Sequence, residues 1–142
     1  MAYHRILLAV DLGPESRYLC QKALGLASGA QIRLVHVVEP VMVLPSYELP
    51  SMLPEGLELQ LVEQARNRLN ELAKEFQISE WDMVVEIGAT KSVLLEQAEN
   101  FQADLILLGS HGRHGVSRIL GSTANAIIHH AKCDVLAVRI HN

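Results

Sequence analysis

Apolar residues fall into short runs separated by amphipathic stretches. Residues 6–10 form a run of Ile, Leu, Ala and Val without strict alternation, the pattern of a strand buried on both faces. Residues 32–38, 81–87, 104–108 and 134–140 are read as four further strands. After the first strand Leu19, Ala23, Leu26 and Ala27 recur at helical spacing. Pro14 suits that helix's first turn and Gly29 its end. Residues 55–76 read as a long amphipathic helix, with Leu57, Leu61, Ala65, Leu69 and Leu72 on one stripe and Glu58, Arg66, Glu71 and Lys74 toward water. Residues 92–100 and 122–131 complete the helices, the former with Val93, Leu94 and Ala98 inward. Strand and helix thus alternate throughout, which predicts an α/β fold: a parallel sheet with helices on both faces, as a single domain over residues 1–142. Residues 39–54 interrupt the alternation. They carry Pro40, Pro45, Pro50 and Pro54, which break any regular ladder, yet they are apolar for a loop. The segment either packs back on its own domain or covers a site or a partner surface.

Composition narrows the picture by exclusion. Hydrophobic residues make up 49% and charged residues 20% of the chain, ordinary globular values that exclude general disorder. Twelve Lys and Arg against sixteen Asp and Glu leave a net charge of −4, and no basic run supplies the phosphate neutralisation that nucleic-acid binding needs. Cys20 and Cys133 lie far apart in unrelated contexts, so neither a disulfide framework nor a C-x-x-C site is indicated. No apolar run approaches membrane-spanning length. The opening Met1-Ala-Tyr-His-Arg-Ile lacks a basic segment followed by a long apolar one, so a cytoplasmic location is expected.

Candidate chemistry gathers at the carboxyl ends of the strands, where open α/β sheets bind ligands. The turn after the first strand, Asp11-Leu-Gly13-Pro14, lacks G-x-G-x-x-G, and the loop after the fourth strand lacks the G-K-[ST] of a P-loop. That loop instead carries Gly109, Gly112 and Gly115, which can turn backbone N–H groups inward as an anion nest. Gly121-Ser122-Thr123 then opens the last helix, whose first N–H groups and dipole suit a phosphate. Arg113 and Arg118 add positive charge. The alternative is a tight turn with hydroxyls capping the helix. Asp11 either accepts from a ribose hydroxyl or base amine, or caps the following helix. Val37 is either a wall against a flat base or ordinary core. His111 and His114 lack a local third ligand, so no metal site is expected. No nucleophile elbow surrounds Ser110, and no catalytic residue is assigned.

At this point the chain resembles the universal stress protein family, of the small single-domain bacterial type, over essentially its whole length. The matching pieces are Arg5-Ile-Leu-Leu-Ala-Val-Asp11 and Leu34-Val-His-Val37. The most specific is the block Leu108-Gly-Ser-His-Gly-Arg-His-Gly-Val-Ser-Arg-Ile-Leu-Gly-Ser122 with His130-Ala-Lys-Cys133-Asp-Val-Leu-Ala-Val-Arg139. The resemblance implies an open five-stranded parallel sheet of order 3-2-1-4-5, similar to the adenine nucleotide alpha hydrolases. It implies a stress-response protein that binds an adenine nucleotide, ATP or AMP, with Mg as an accompanying ion, and a homodimer through the last strand, from Val135 to Arg139. It places Asp11 and Val37 at the adenosine end, Gly88 in the middle loop, and Gly109, Gly112, Gly121, Ser122 and Thr123 at the phosphates, with Arg113 or Arg118 screening charge. The family's glycine pattern is G-x2-G-x9-G-[ST]; here eight residues, not nine, separate Gly112 from Gly121. Without a P-loop lysine or a positioned general base, any ATP hydrolysis is expected to be slow. The implied mode of action is nucleotide-dependent interaction with other proteins. The rivals are a dimer that works through protein contacts without nucleotide, and a slow ATP hydrolase.

Overall fold

A computed structural model describes residues 3–40, 56–79, 82–110 and 120–140. Their elements run β1 (Arg5–Ala9), α1 (Ser16–Ala27), β2 (Gln31–Val38), α2 (Leu57–Glu75), β3 (Met83–Ile87), α3 (Thr90–Phe101), β4 (Leu105–Gly109), α4 (Ser122–His130) and β5 (Asp134–Val138). All five strands pair in parallel in the order β3-β2-β1-β4-β5, as the resemblance implied.

Strand alternation divides the core into two layers. Ile6, Leu8 and Val10 of β1 and the turn after it point to the same side as Ile32 and Leu34 of β2, and meet Leu19, Cys20 and Ala23 of α1 and Ala65, Leu69 and Leu72 of α2. Leu7, Ala9, Val35 and Val37 point to the other side and meet Val93, Leu94 and Ala98 of α3 and Ala124 and Ile127 of α4. Register holds the layers together, with Ile6 beside Ile32 and Leu105, and Leu8 beside Leu34 and Leu107. Central β1 is buried on both faces, which explains why its sequence is nearly unbroken Ile, Leu and Ala.

The amino ends of the strands are sealed by polar contacts. The Asp104 carboxylate accepts from the backbone N–H groups of His4 and Arg5 at 2.8 and 2.9 Å. Burial works against its charge, but those N–H groups and its own outweigh it and hold the carboxyl below its usual range. The guanidinium groups of Arg33 and Arg5 lie 4.4 and 5.7 Å from the centre of the buried Phe101 ring.

Element ends depart from the sequence reading by a residue or two. Pro14 stands in the turn before α1, whose N-cap is Glu15. Gly29 ends α1 as expected, in the left-handed conformation at φ +84°. The strand read as 134–140 stops at Val138. Of the interrupting segment 39–54, Glu39 and Pro40 are described and the rest lies outside the described residues.

Candidate functional site

A crevice of about 770 Å³ opens at the carboxyl ends of the strands. That volume lies within the usual range for a small-molecule site. Its walls come from the end of β1 (Ala9 to Leu12), the end of β2 (Val35 to Glu39), the end of β4 (Leu108, Gly109), the start of α4 (Gly121 to Ala124), and the facing sides of α1 and α2. Parallel topology causes the convergence. Each of β1 to β4 leads on to a helix from the same end of the sheet, so separate turns meet there.

The β1–α1 turn has unusual backbone. Leu12 takes φ +63°, a left-handed conformation that leucine seldom adopts, while its side chain stays in the core. The Asp11 carboxylate bends over the turn and accepts from the Gly13 N–H at 2.8 Å. Asp11 therefore braces its own turn and is not the cap of α1. Gly13 is closely surrounded: a Cβ there would stand 3.0 Å from Asp11 Oδ1 and 3.0 Å from Glu15 Oε2, so one or both carboxylates would have to shift slightly.

On β2, alternation sends His36 and Val37 in opposite directions. Val37 is buried in the layer with α3 and forms part of the crevice wall. His36 Nδ1 lies 2.8 Å from the Val10 carbonyl, an acceptor that requires the proton on Nδ1. At the rim, the Thr90 hydroxyl donates to Glu39 Oε1 at 2.8 Å, joining the end of β2 to the start of α3.

The opposite wall is the β4–α4 junction. Ser110 N–H donates to the Val138 carbonyl, and Gly121 N–H donates to the Ser110 carbonyl. The helix start is thereby drawn back onto the strand end it left eleven residues earlier. Gly121 is the N-cap and offers no side chain, and no side-chain cap bond closes the helix. The dipole's positive end and the Ser122 and Thr123 side of α4 thus border the crevice. This removes the reading of these hydroxyls as a capping device.

The structure brings Asp11, Val37, Gly109, Gly121, Ser122 and Thr123 to one cavity. Gly88 is not among the residues lining it. A Cβ at Gly88 would lie 2.8 Å from Val93 Cγ2, so its glycine serves the close seating of α3. Gly112 and Arg113, with Gly115 and Arg118, lie outside the described residues.

Arg68 and His36 are among the lining residues to which the sequence reading gave no role. Arg68 of α2 reaches across and donates from its guanidinium to the Leu12 carbonyl. Its signal was the apolar stripe itself. Position 68 falls seven residues after Leu61 and three after Ala65, on the stripe's edge, where a long cation is unexpected. His36 stood inside a quoted motif but received no role. Among the described lining residues, Asp11, Glu15 and Glu39 supply carboxylates and Arg68 the guanidinium.

Neither cysteine belongs to this site. Burial, with the Glu75 charge nearby, pushes the Cys20 thiol up to about 12. Burial likewise raises Cys133, helped by Asp134 and Asp104. Among the described residues no cluster of His, Cys, Asp or Glu has the makings of a metal site, and no helix is long and apolar enough to cross a membrane.

Residues 2–139 match the universal stress protein family. The chain is 46% identical over 143 residues to universal stress protein A homolog 2 of Coxiella burnetii, covering 97% of this chain and 96% of the relative. Among solved structures, the universal stress protein UspA from Lactobacillus plantarum superposes with a TM-score of 0.75 at 25% identity, over 98% of this chain and 99% of that one. A universal stress protein in complex with cAMP superposes at 0.67 with 22% identity, over 98% of each chain.

Proposed function

The chain belongs to the universal stress protein family, and from that premise we propose that it binds an adenine nucleotide, ATP or AMP, in the crevice at the carboxyl ends of its strands. The observation that carries this reading is the pairing of two unlike walls across one cavity. Asp11 and Val37 offer a carboxylate and an apolar surface on one side, while Gly109 and the uncapped start of α4 face them on the other. The first pair suits a ribose hydroxyl and a base; the second suits a phosphate. The cAMP bound by one structural neighbour lends support, because it too joins an adenine and a ribose to a phosphate.

Electrostatics shape the details of the proposal. A triphosphate entering beside Asp11, Glu15 and Glu39 needs positive charge beyond Arg68. Arg113, Arg118 or a Mg ion carried by the nucleotide supplies it in this reading, with Gly112 completing the phosphate loop. Turnover is not required: the bound nucleotide changes which proteins this cytoplasmic stress-response factor engages. A homodimer forms through the edge strand β5, which has no strand beyond it among the described residues.

Calorimetry on full-length protein, unfolded and refolded to strip any co-purified ligand, tests the proposal. ATP or AMP is expected to bind, and Asp11→Ala and Gly121→Val each weaken binding at least about tenfold, the scale of losing one charged hydrogen bond or blocking a backbone approach. An absence of binding at millimolar nucleotide overturns the reading and leaves the protein-contact role. Phosphate release that persists unchanged in Gly121→Val is contamination rather than activity at this site. Light scattering on the same samples reads the dimer, and a proline at Ala137 is expected to shift it toward monomer.

A further inference from the structure

Resting on the nucleotide reading above, we infer that Arg68 is a positioning residue for the nucleoside end of the crevice, acting with His36 to hold Asp11 in its presenting conformation. The two carbonyls on either side of Asp11, those of Val10 and Leu12, each accept a side-chain hydrogen bond from outside their own segment. His36 Nδ1–H donates to the first at 2.8 Å, from β2. The Arg68 guanidinium donates to the second, from α2.

The second bond matters because of what it holds. A left-handed Leu12 is unfavourable by itself and relaxes unless its surroundings impose it. The buried Leu12 side chain fixes one side of the peptide. The charged donor on its carbonyl fixes the other. Relaxation of Leu12 would swing the next peptide and break the Gly13 N–H bond to Asp11 Oδ1, turning the carboxylate away from its present direction. Arg68 thus couples α2, the helix that follows residues 41–55, to the direction of the Asp11 carboxylate.

A phosphate-binding arginine and a positioning arginine differ in what they discriminate. The former affects ATP and leaves adenosine alone; the latter affects both equally. The test uses the full chain with Arg68→Met, Arg68→Lys and, as a control for helix α2, Arg66→Met. The readouts are affinity for adenosine and for ATP, and hydrogen exchange of the Gly13 amide by NMR.

Arg68→Met is expected to weaken adenosine and ATP by the same factor, about tenfold, and to speed Gly13 exchange by a similar factor. Arg68→Lys, which keeps a donor, recovers part of both, and Arg66→Met matches the parent. Loss of ATP affinity with adenosine unaffected overturns the proposal, as does unchanged Gly13 exchange in Arg68→Met. If the parent protein binds neither adenosine nor ATP, the nucleotide reading fails, and Gly13 exchange alone decides whether Arg68 holds the turn.

Discussion

The two faces of the sheet are built differently. On one, α3 and α4 pack against each other and against β1, β2 and β5, closing over Leu94, Ile106 and Ile127. On the other, α1 lies over β1 and β4 while α2 lies over β2 and β3, and the two share one core layer that opens into the crevice at the strand ends. Polar side chains span that side: Arg17 pairs with Glu75 at 3.1 Å, and Arg68 reaches Leu12. The crevice extends into this opening, between Glu15 and Leu19 of α1 and Leu61, Gln64 and Ala65 of α2. One face is therefore closed by helix–helix packing, while the crevice at the strand ends draws on both, with Val37, Ser122 and Thr123 from the first and Leu19, Leu61 and Arg68 from the second.

Mutations that empty or crowd the closed face carry the largest expected effects. Ile127→Ala removes a fully buried side chain, and urea unfolding is expected to show a loss of about 2–5 kcal/mol. Gly88→Ala forces a methyl against Val93, at about 1–3 kcal/mol. In a double-mutant cycle Gly88→Ala should cost less in a Val93→Ala background than in the parent, and equal costs would remove the close approach as its cause. On the open face, Leu61→Ala is expected to cost under about 1 kcal/mol, because its side chain is only half-buried. A loss as large as that of Ile127→Ala would break the comparison.

The pH dependence sharpens the contrast between the layers and the sheet ends. The Asp104 carboxyl is lowered in the fold, so its contribution is fully present above the unfolded value of about 4 and is lost as pH falls through the folded one. Asp104→Asn should flatten the acid limb of stability against pH. Cys20, in the α1 layer, has the opposite sense. Its thiol ionises in the unfolded chain near its ordinary value but in the fold only at about 12, so stability declines across that alkaline interval. Cys20→Ala should flatten it, and Cys20 should stay unmodified by thiol reagents until the protein unfolds. The smallest effects belong to exposed ion pairs. Arg17→Gln and Glu99→Gln, which break the pairs with Glu75 and Lys132, are each expected within about 0.5 kcal/mol of the parent in urea titrations.

Much of this was legible along the chain because parallel strands buried on both faces leave near-continuous apolar runs, as in Ile6 to Val10. Their order in the sheet was not written in periodicity; it came from resemblance, since alternation of strand and helix allows several windings. Asp11, Val37, Gly109 and the Gly121-Ser122-Thr123 start were readable because each sits where a strand ends or a helix begins. Gly88 was assigned to the site from its place after the third strand and from the resemblance, and its close approach to Val93 could not be seen in a linear text. Arg68 and His36 went unnoticed for a similar reason. Each bonds a backbone carbonyl distant in sequence, and carbonyls have no letter in the sequence.

The central place of β1 also has a consequence in time. β1 pairs with β2 after one helix, but Arg5 meets Asp104 across 99 residues. During synthesis at about 5–20 residues per second, one edge of β1 therefore waits several seconds for β4 to emerge. Until then Ile6, Leu7 and Leu8 offer an apolar strand edge to whatever is near. A protein of the stress response would thus itself depend, while being made, on protection of that edge.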